Sequence, residues 1–176
     1  MNLLTEILKE NSRYNVNRVV RIIEENPSLV KELVSLTLMR DIKIPARASW
    51  ILSHCHESMP GIVTPFAAEL IKALPVFLHT GTRRNILKIF ITEPIPEDYQ
   101  VFMFDHCLEW VISKKEPIAV KAYAMDILVN IAMQEPDLKN EVIPVILDVM
   151  PHGSAGVKAR GVKMLKKLGF REEDYF

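Results

Sequence analysis

The sequence of 176 residues has few cysteines that could crosslink a small secreted domain, and it has no long apolar segment that could anchor a chain in a membrane. Its two cysteines, Cys55 and Cys107, are far apart and outside any CxxC pattern, so neither a disulfide framework nor a cysteine zinc site is expected. No segment reaches the ~18 uninterrupted apolar residues of a membrane span, and the start MNLLTEILKEN does not resemble a signal peptide. We therefore predict a cytoplasmic protein with no membrane partner.

The sequence also lacks an excess of either charge, because 22 lysines and arginines balance 22 aspartates and glutamates. This neutrality removes the simplest argument for binding nucleic acid or an anionic membrane, although local charged patches can persist in a neutral chain. The GxGxxG, P-loop, HExxH and GxSxG patterns are absent. We accordingly predict no catalytic residue, no metal and no cofactor.

Apolar residues make up 49% of the chain, and they recur with the period of a helix. Leu29, Leu33 and Leu36 illustrate the three- and four-residue steps that are typical of an amphipathic helix rather than a strand. No Asn-Gly or Asp-Gly turn lies between alternating apolar runs, so hairpins of strands are not expected. Prolines at positions 27, 60, 96 and 136 lie near the starts of helical segments, where the first turn tolerates them. The pattern predicts an all-α fold.

One feature of the helical segments repeats every 37 residues. The segment AVKAYAMDIL at 119–128 has nearly the layout of GVKARGVKML at 156–165. The same interval connects four cations, which we call the cation ladder: Arg47, Arg84, Lys121 and Lys158. Three positions after each ladder cation lie Trp50, Leu87, Ala124 and Gly161. The two small residues are expected to let helices approach closely, and Trp50 to fill a wider gap. Internal repetition at this interval indicates a solenoid.

Pairing each ladder helix with the helix before it gives hairpins at 27–57, 61–92, 97–133 and 136–168, with a less regular pair at 2–25 and a tail at 169–176. A helix, a short turn and then (Val)-(Arg/Lys)-x-x-Ala-x-x-x-Leu resembles the HEAT repeat, most clearly at Val120, Lys121, Ala124 and Leu128. The turn aspartate usual in that family has its candidate in Asp41. The resemblance implies one domain over residues 1–176, a right-handed α-α superhelix (a HEAT/ARM-like solenoid) of about five antiparallel helix pairs. Its second helices would line the concave face.

The candidate binding face consists of basic residues on the second helices, namely Arg47, Arg83, Arg84, Lys121, Lys158 and Arg160. Helices in register would present these side chains as a stripe to a phosphate backbone or an acidic partner. The alternative is structural, since such cations often pack over a neighbouring turn by their aliphatic stems. Arg83 and Arg84 are the least explained by packing.

Two triplets, His54-Cys55-His56 and Asp105-His106-Cys107, suggest a metal site, but consecutive residues on a helix point about 100° apart. We therefore predict histidines at the surface or in a groove, and packed thiols. A second group of residues has helical spacing in the third of the four hairpins and is expected to form core: Phe102, Phe104, Trp110, Met125 and Met133. An adaptable Met-rich binding groove is the alternative for that group.

Two functions are compatible with these features. The first is a non-enzymatic scaffold or adaptor that binds a protein or peptide on its concave face. The second is nucleic-acid binding through the basic residues of the second helices, as in the helical-repeat glycosylases that repair alkylated DNA, which the fold resembles. Binding driven by phosphate contacts should weaken steeply with salt, whereas binding in an apolar protein groove should not.

Overall fold

The computed structural model describes residues 2–171 and residue 173, so part of the predicted tail lies outside the described residues. The described residues form ten α-helices and no strand, which confirms the all-α prediction. The helices are α1 (Leu3–Leu8), α2 (Arg13–Glu25), α3 (Val30–Thr37), α4 (Lys43–Ser58), α5 (Ala67–Ala73), α6 (Thr80–Phe90), α7 (Gln100–Ile112), α8 (Ile118–Gln134), α9 (Lys139–Val149) and α10 (Ala155–Lys167).

The chain divides into two compact units, Met1–Pro96 (unit 1) and Glu97–Phe176 (unit 2). In unit 1, α3 packs on α4, and α4 also contacts the second helices α2 and α6. In unit 2, α7 packs on α8 and α9, while α8 packs on α10. Second helices therefore stack on second helices in both units, and first helices stack on each other in unit 2, as in an α-solenoid. One repeat domain over residues 1–176 stays a prediction.

Polar side chains fix several helix starts. Asn2, Ser12 and Ser154 accept hydrogen bonds from backbone N–H groups in the first turns of α1, α2 and α10, at 3.1 to 3.3 Å. The carboxylate of Asp41 accepts from the N–H of Ile44 at 2.8 Å, in the first turn of α4. The candidate turn aspartate thus satisfies an N–H that the helix cannot pair internally.

The end of α10 is fixed by Gly169, whose φ of +76° lies in the left-handed region that favours glycine. Its N–H donates to the carbonyl of Lys166 at 3.1 Å, and the N–H of Phe170 donates to the carbonyl of Leu165 at 3.0 Å. This pair of bonds is the Schellman arrangement, which pairs carbonyls left free at a helix end.

In unit 2, helices α9 and α10 approach each other closely, as the small residues of the repeat predict. A Cβ atom added to Gly161 on α10 would lie 2.5 Å from the side chain of Met150 and 3.3 Å from that of Ile146. Ala124 on α8 is fully buried. Both positions therefore accept only small side chains without rearrangement of their neighbours.

Candidate functional site

A groove of ≈ 330 Å³ opens between α4 and α6 in unit 1, and we call it the α4–α6 groove. It is lined by the first two turns of α4, the first half of α6, the residues just before each helix and the loop between α1 and α2. Its polar and aromatic lining residues are Asn11, Lys43, Arg47, Trp50, His79, Arg84 and Asn85, and the others are Ile42, Ala46 and Gly81. Two members of the cation ladder therefore share one groove, and none of the described residues that line it carries a carboxylate.

Arg84 is exposed, yet its guanidinium is held in place. Its Nε and Nη2 donate to the side-chain oxygen of Asn85 at 3.3 and 3.1 Å. Asn85 is only 5% exposed, and its Nδ2 donates to the hydroxyl of Ser49 on α4 at 3.1 Å. That hydroxyl in turn donates to the carbonyl of Ala46 at 3.2 Å. This chain of hydrogen bonds orients Arg84 from the buried interface between α4 and α6.

Arg47 is half-buried in the same groove, and part of its guanidinium is already used within the fold. Its Nη1 donates to the carbonyl of Leu8 at 3.0 Å and to that of Ile7 at 3.4 Å. These carbonyls belong to the last turn of α1, where carbonyl groups have no partner inside the helix. Arg47 therefore caps α1 and also contributes positive charge to the groove.

The remaining groove residues supply charge and apolar surface. Lys43 is exposed and forms no ion pair among the described residues. Trp50 is half-buried, forms part of the groove wall, and lies with its ring centroid 6.5 Å from that of His54. His79 precedes α6, and its Nδ1 accepts from the N–H of Gly81 at 3.1 Å.

Beyond the groove, the same face of α4 carries mixed charge. Glu57 forms an ion pair with Lys88 on α6 and a hydrogen bond with His54, whose Nδ1 lies 2.5 Å from the carboxylate. The Nη1 of Arg13 on α2 donates to the Nε2 of His54 at 2.7 Å. Burial raises the pKa of Glu57, but the hydrogen bonds with Lys88 and His54 outweigh this effect, so the net shift is downward. The positive lining of the groove therefore ends at a carboxylate.

Arg83 corrects one sequence-based interpretation. It is buried, its Nε donates to the carbonyl of Leu74 at 3.0 Å, and its Nη2 donates to that of Pro75 at 3.3 Å. Arg83 therefore has a structural role within the fold, whereas from the sequence we did not expect packing to account for this residue. Because successive residues on a helix point about 100° apart, Arg84 faces the groove while Arg83 faces α5.

The candidate residues of unit 2 lie on α8 and α10. Lys121 is half-buried and Lys158 is exposed. Arg160 is half-buried, and its Nη1 lies 3.4 Å from the carboxylate of Asp126, which is 7% exposed. Burial raises the pKa of Asp126, while Arg160 and two lysines of α10 act in the opposite direction. Part of the basic surface of α10 therefore faces a buried acid.

The predicted core group in unit 2 is mostly buried. Phe104, Trp110 and Met125 are buried, whereas Phe102 is half-buried and Met133 is 45% exposed. The imidazole of His106 stacks on Trp110, with ring centroids 5.6 Å apart, and meets Phe102 edge-on at 4.5 Å. The core interpretation holds for the three buried members.

The two histidines of the first triplet are more buried than predicted, whereas His106 of the second triplet is half-buried. His54 and His56 are both buried, which corrects the expectation of surface or groove-lining side chains. The predicted packed thiols are found, since Cys55 and Cys107 are both fully buried, and burial raises the pKa of each thiol, to about 12 for Cys55. Within residues 2–171 and 173, no three metal-binding side chains come together.

A second cavity in unit 1 had no signal in the sequence. It measures ≈ 420 Å³ and lies between the α3–α4 turn and the segment before α6. Its apolar lining includes Met39, Pro45, Phe77 and the 60% exposed Leu78. Consecutive hydrophobic residues before a helix do not by themselves distinguish a cavity wall from a packed turn.

Comparison with known protein families gives a match that covers most of the chain. A family model described as a HEAT repeat domain matches residues 4–168. The comparison with curated proteins gives no match, and the comparison with solved structures gives none. Among the helices that the structure describes, none has the length and apolar character needed to cross a membrane.

Proposed function

Because the chain belongs to the HEAT repeat family, we propose that it is a non-enzymatic scaffold or adaptor that binds a protein or peptide partner through its second helices. Stacked repeats of this kind offer extended surfaces for binding, and repeats of the family typically have no catalytic role. We further propose a reducing, cytoplasmic location, which the two buried free cysteines support.

The observation that carries this proposal is the α4–α6 groove. It combines a partly exposed tryptophan with an oriented guanidinium, and both residue types are enriched where proteins bind one another. Trp50 offers apolar surface next to the polar groups of Arg84 and Asn85. Such a mixture suits a folded or peptide partner better than a uniformly charged ligand.

Nucleic-acid binding remains the alternative, and the described contacts give it less support. Three of the six candidate cations are already engaged, since Arg47 and Arg83 donate to backbone carbonyls and Arg160 faces Asp126. Lys158 and the lysines later in α10 leave a small basic surface. The net charge of zero adds no long-range attraction for phosphate.

The test is capture of partners from a lysate of the source organism at low and high salt, with and without nuclease. The bait proteins are wild type, Arg84→Glu/Lys121→Glu and the control Lys31→Glu, which reverses an exposed charge on the first helix α3. We expect a protein partner that survives salt and nuclease, is retained by the control and is lost with the double variant. Recovery of nucleic acid that is lost with salt would overturn the proposal.

A further inference from the structure

We infer that the α4–α6 groove binds a short acidic peptide segment, with Arg84 as the principal carboxylate-binding residue. This inference rests on the proposed function, because it names the chemistry of the segment by which a protein partner would dock. The charge, the geometry and the size of the groove each support it.

The charge of the groove is positive and largely unused. Lys43 and Arg84 have no carboxylate partner among the described residues, and Arg47 adds a third positive charge nearby. The groove also lies at the N-terminal ends of α4 and α6, whose helix dipoles favour negative charge there. A ligand with carboxylates would therefore be attracted into the groove, whereas a basic segment would be repelled.

The geometry favours a carboxylate because the guanidinium is oriented before any ligand arrives. Asn85 occupies Nε and Nη2 of Arg84 and is itself anchored on Ser49, so little side-chain freedom remains to be lost on binding. A guanidinium offers planar, directional donors that match a carboxylate better than a lysine ammonium does. Asn85 acts as a positioning residue that serves Arg84.

The size and walls of the groove fit a few peptide side chains. A volume of ≈ 330 Å³ lies at the lower end of the range for ligand sites, and Trp50 provides an apolar wall beside the cations. An acidic segment with an aromatic or aliphatic neighbour would use both features. A carboxylate would meet Arg84 while the neighbouring side chain covers the indole.

The surroundings favour a short peptide over a phosphate backbone. A nucleic acid that continued along α4 and α6 would reach Glu57, which is paired with Lys88 and His54. Because the charge of Lys88 is already compensated by Glu57, successive phosphates would gain little attraction there. A peptide of a few residues ends before that point.

The experiment measures fluorescence anisotropy of the labelled peptide Glu-Glu-Tyr-Glu-Glu titrated with the full chain, with Gln-Gln-Tyr-Gln-Gln as the matched neutral probe. We expect the acidic probe to bind at least tenfold more tightly. Arg84→Gln should weaken its binding about tenfold, as expected for loss of a charge-assisted hydrogen bond. Arg84→Lys should weaken it less, and the control Lys31→Gln should leave it unchanged.

The positioning role of Asn85 has its own readout. Asn85→Ala should weaken binding of the acidic probe in the wild-type background but have no further effect when Arg84 is already glutamine. Additive losses in the two backgrounds would contradict the assignment, because Asn85 would then act on the ligand or on the fold and not through Arg84. Circular dichroism melting of each variant identifies those that fail to fold.

The outcomes separate this inference from the proposed function. Equal binding of the two peptides, or no binding up to millimolar protein, overturns the acidic-segment inference even if a lysate partner survives salt and nuclease. A single-stranded oligonucleotide that binds more tightly than the acidic peptide and is lost with Arg84→Gln overturns both proposals. Acidic-probe binding that depends on Arg84 supports the inference, whichever proteins the lysate supplies.

Discussion

The two units differ in what their interiors contain. Among the described residues, ten buried polar or charged side chains lie in unit 1, and unit 2 has one, Asp126. The ten are Asn15, Thr37, Ser49, Ser53, His54, His56, Thr82, Arg83, Asn85 and Glu93. Unit 2 instead packs small and large apolar residues closely, as at Ala124 and Gly161.

This difference shows two ways of holding helical hairpins together. A buried polar group destabilises the fold unless it is paired, so each paired group in unit 1, such as Thr37, Arg83 or Asn85, restricts the positions its neighbours can take. In one case the restriction reaches the surface, because Asn85 and Ser49 orient the exposed Arg84. In the described part of unit 2, apolar packing fixes the distances between helices, and the one buried acid, Asp126, faces Arg160.

The largest effect should come from crowding the close contact of unit 2. We expect Gly161→Leu to lower the free energy of unfolding by about 3 kcal/mol, because the new side chain would overlap Met150 and Ile146. Urea denaturation followed by circular dichroism measures the change. Gly156→Leu is the control on the same helix, since a Cβ atom there meets only an ordinary contact with Ile118 at 3.5 Å. If the two variants had equal urea midpoints, the close packing around Gly161 would not determine the stability of unit 2.

The next effect should come from removing a buried polar group in unit 1. Glu93 is 4% exposed, accepts a hydrogen bond from Thr64, and lies 3.5 Å from the Nδ1 of His56. Glu93→Leu should cost about 2 kcal/mol because it leaves the buried imidazole without its carboxylate neighbour. Thermal and urea unfolding measure the change, with the exposed Glu69→Leu on α5 as control. A neutral effect would mean that buried polarity does not stabilise unit 1.

The sequence predicted those features that depend on local periodicity and local sterics. The all-helical class follows from apolar spacing, and the close approach of two helices follows from the small side chain of Gly161. The role of Asp41 follows in the same way from its place just before a helix. Each of these features is determined by a sequence pattern of only a few residues.

The sequence could not predict features that depend on helix rotation. Arg83 and Arg84 are adjacent and chemically identical, and only the packing of α6 decides which is buried and which is exposed. The α4–α6 groove needs Arg47 and Arg84 on neighbouring helices, which the 37-residue interval suggested. The supporting contact from Asn85 to Ser49 had no signal, since neither residue belongs to the repeated pattern.

The ladder cations offer a smaller test of the difference between the units. Arg47→Met retains an apolar stem but loses the bonds to the carbonyls of Ile7 and Leu8, so we expect a loss of about 1.5 kcal/mol. Lys158→Met removes an exposed cation in unit 2 and should change stability by less than about 0.5 kcal/mol. Urea midpoints of the two variants measure the contrast. Equal losses would show that the ladder cations have one common structural role.

The smallest expected effect concerns Asp126, the one buried charged side chain described in unit 2. Burial raises its pKa above the ordinary value of 3.8, even though Arg160, Lys163 and Lys167 oppose that shift. Between pH 3.8 and its raised folded pKa, the folded state holds a proton that the unfolded state has released, so the contribution of Asp126 to stability falls as pH rises through this interval. Asp126→Asn should consequently stabilise the protein at pH 7.5, by less than about 1 kcal/mol.

The gain from Asp126→Asn should shrink as pH falls through the raised folded pKa and below 3.8, because the wild-type carboxyl becomes protonated in both states only below that value. Melting temperatures at several pH values measure it, and the exposed Asp148→Asn on α9 is the control for a general loss of negative charge. A loss of stability at pH 7.5 would mean that attraction to the cations of α10 outweighs burial. In that case a buried polar contact would also stabilise unit 2. The two units would then differ only in how many such contacts they contain.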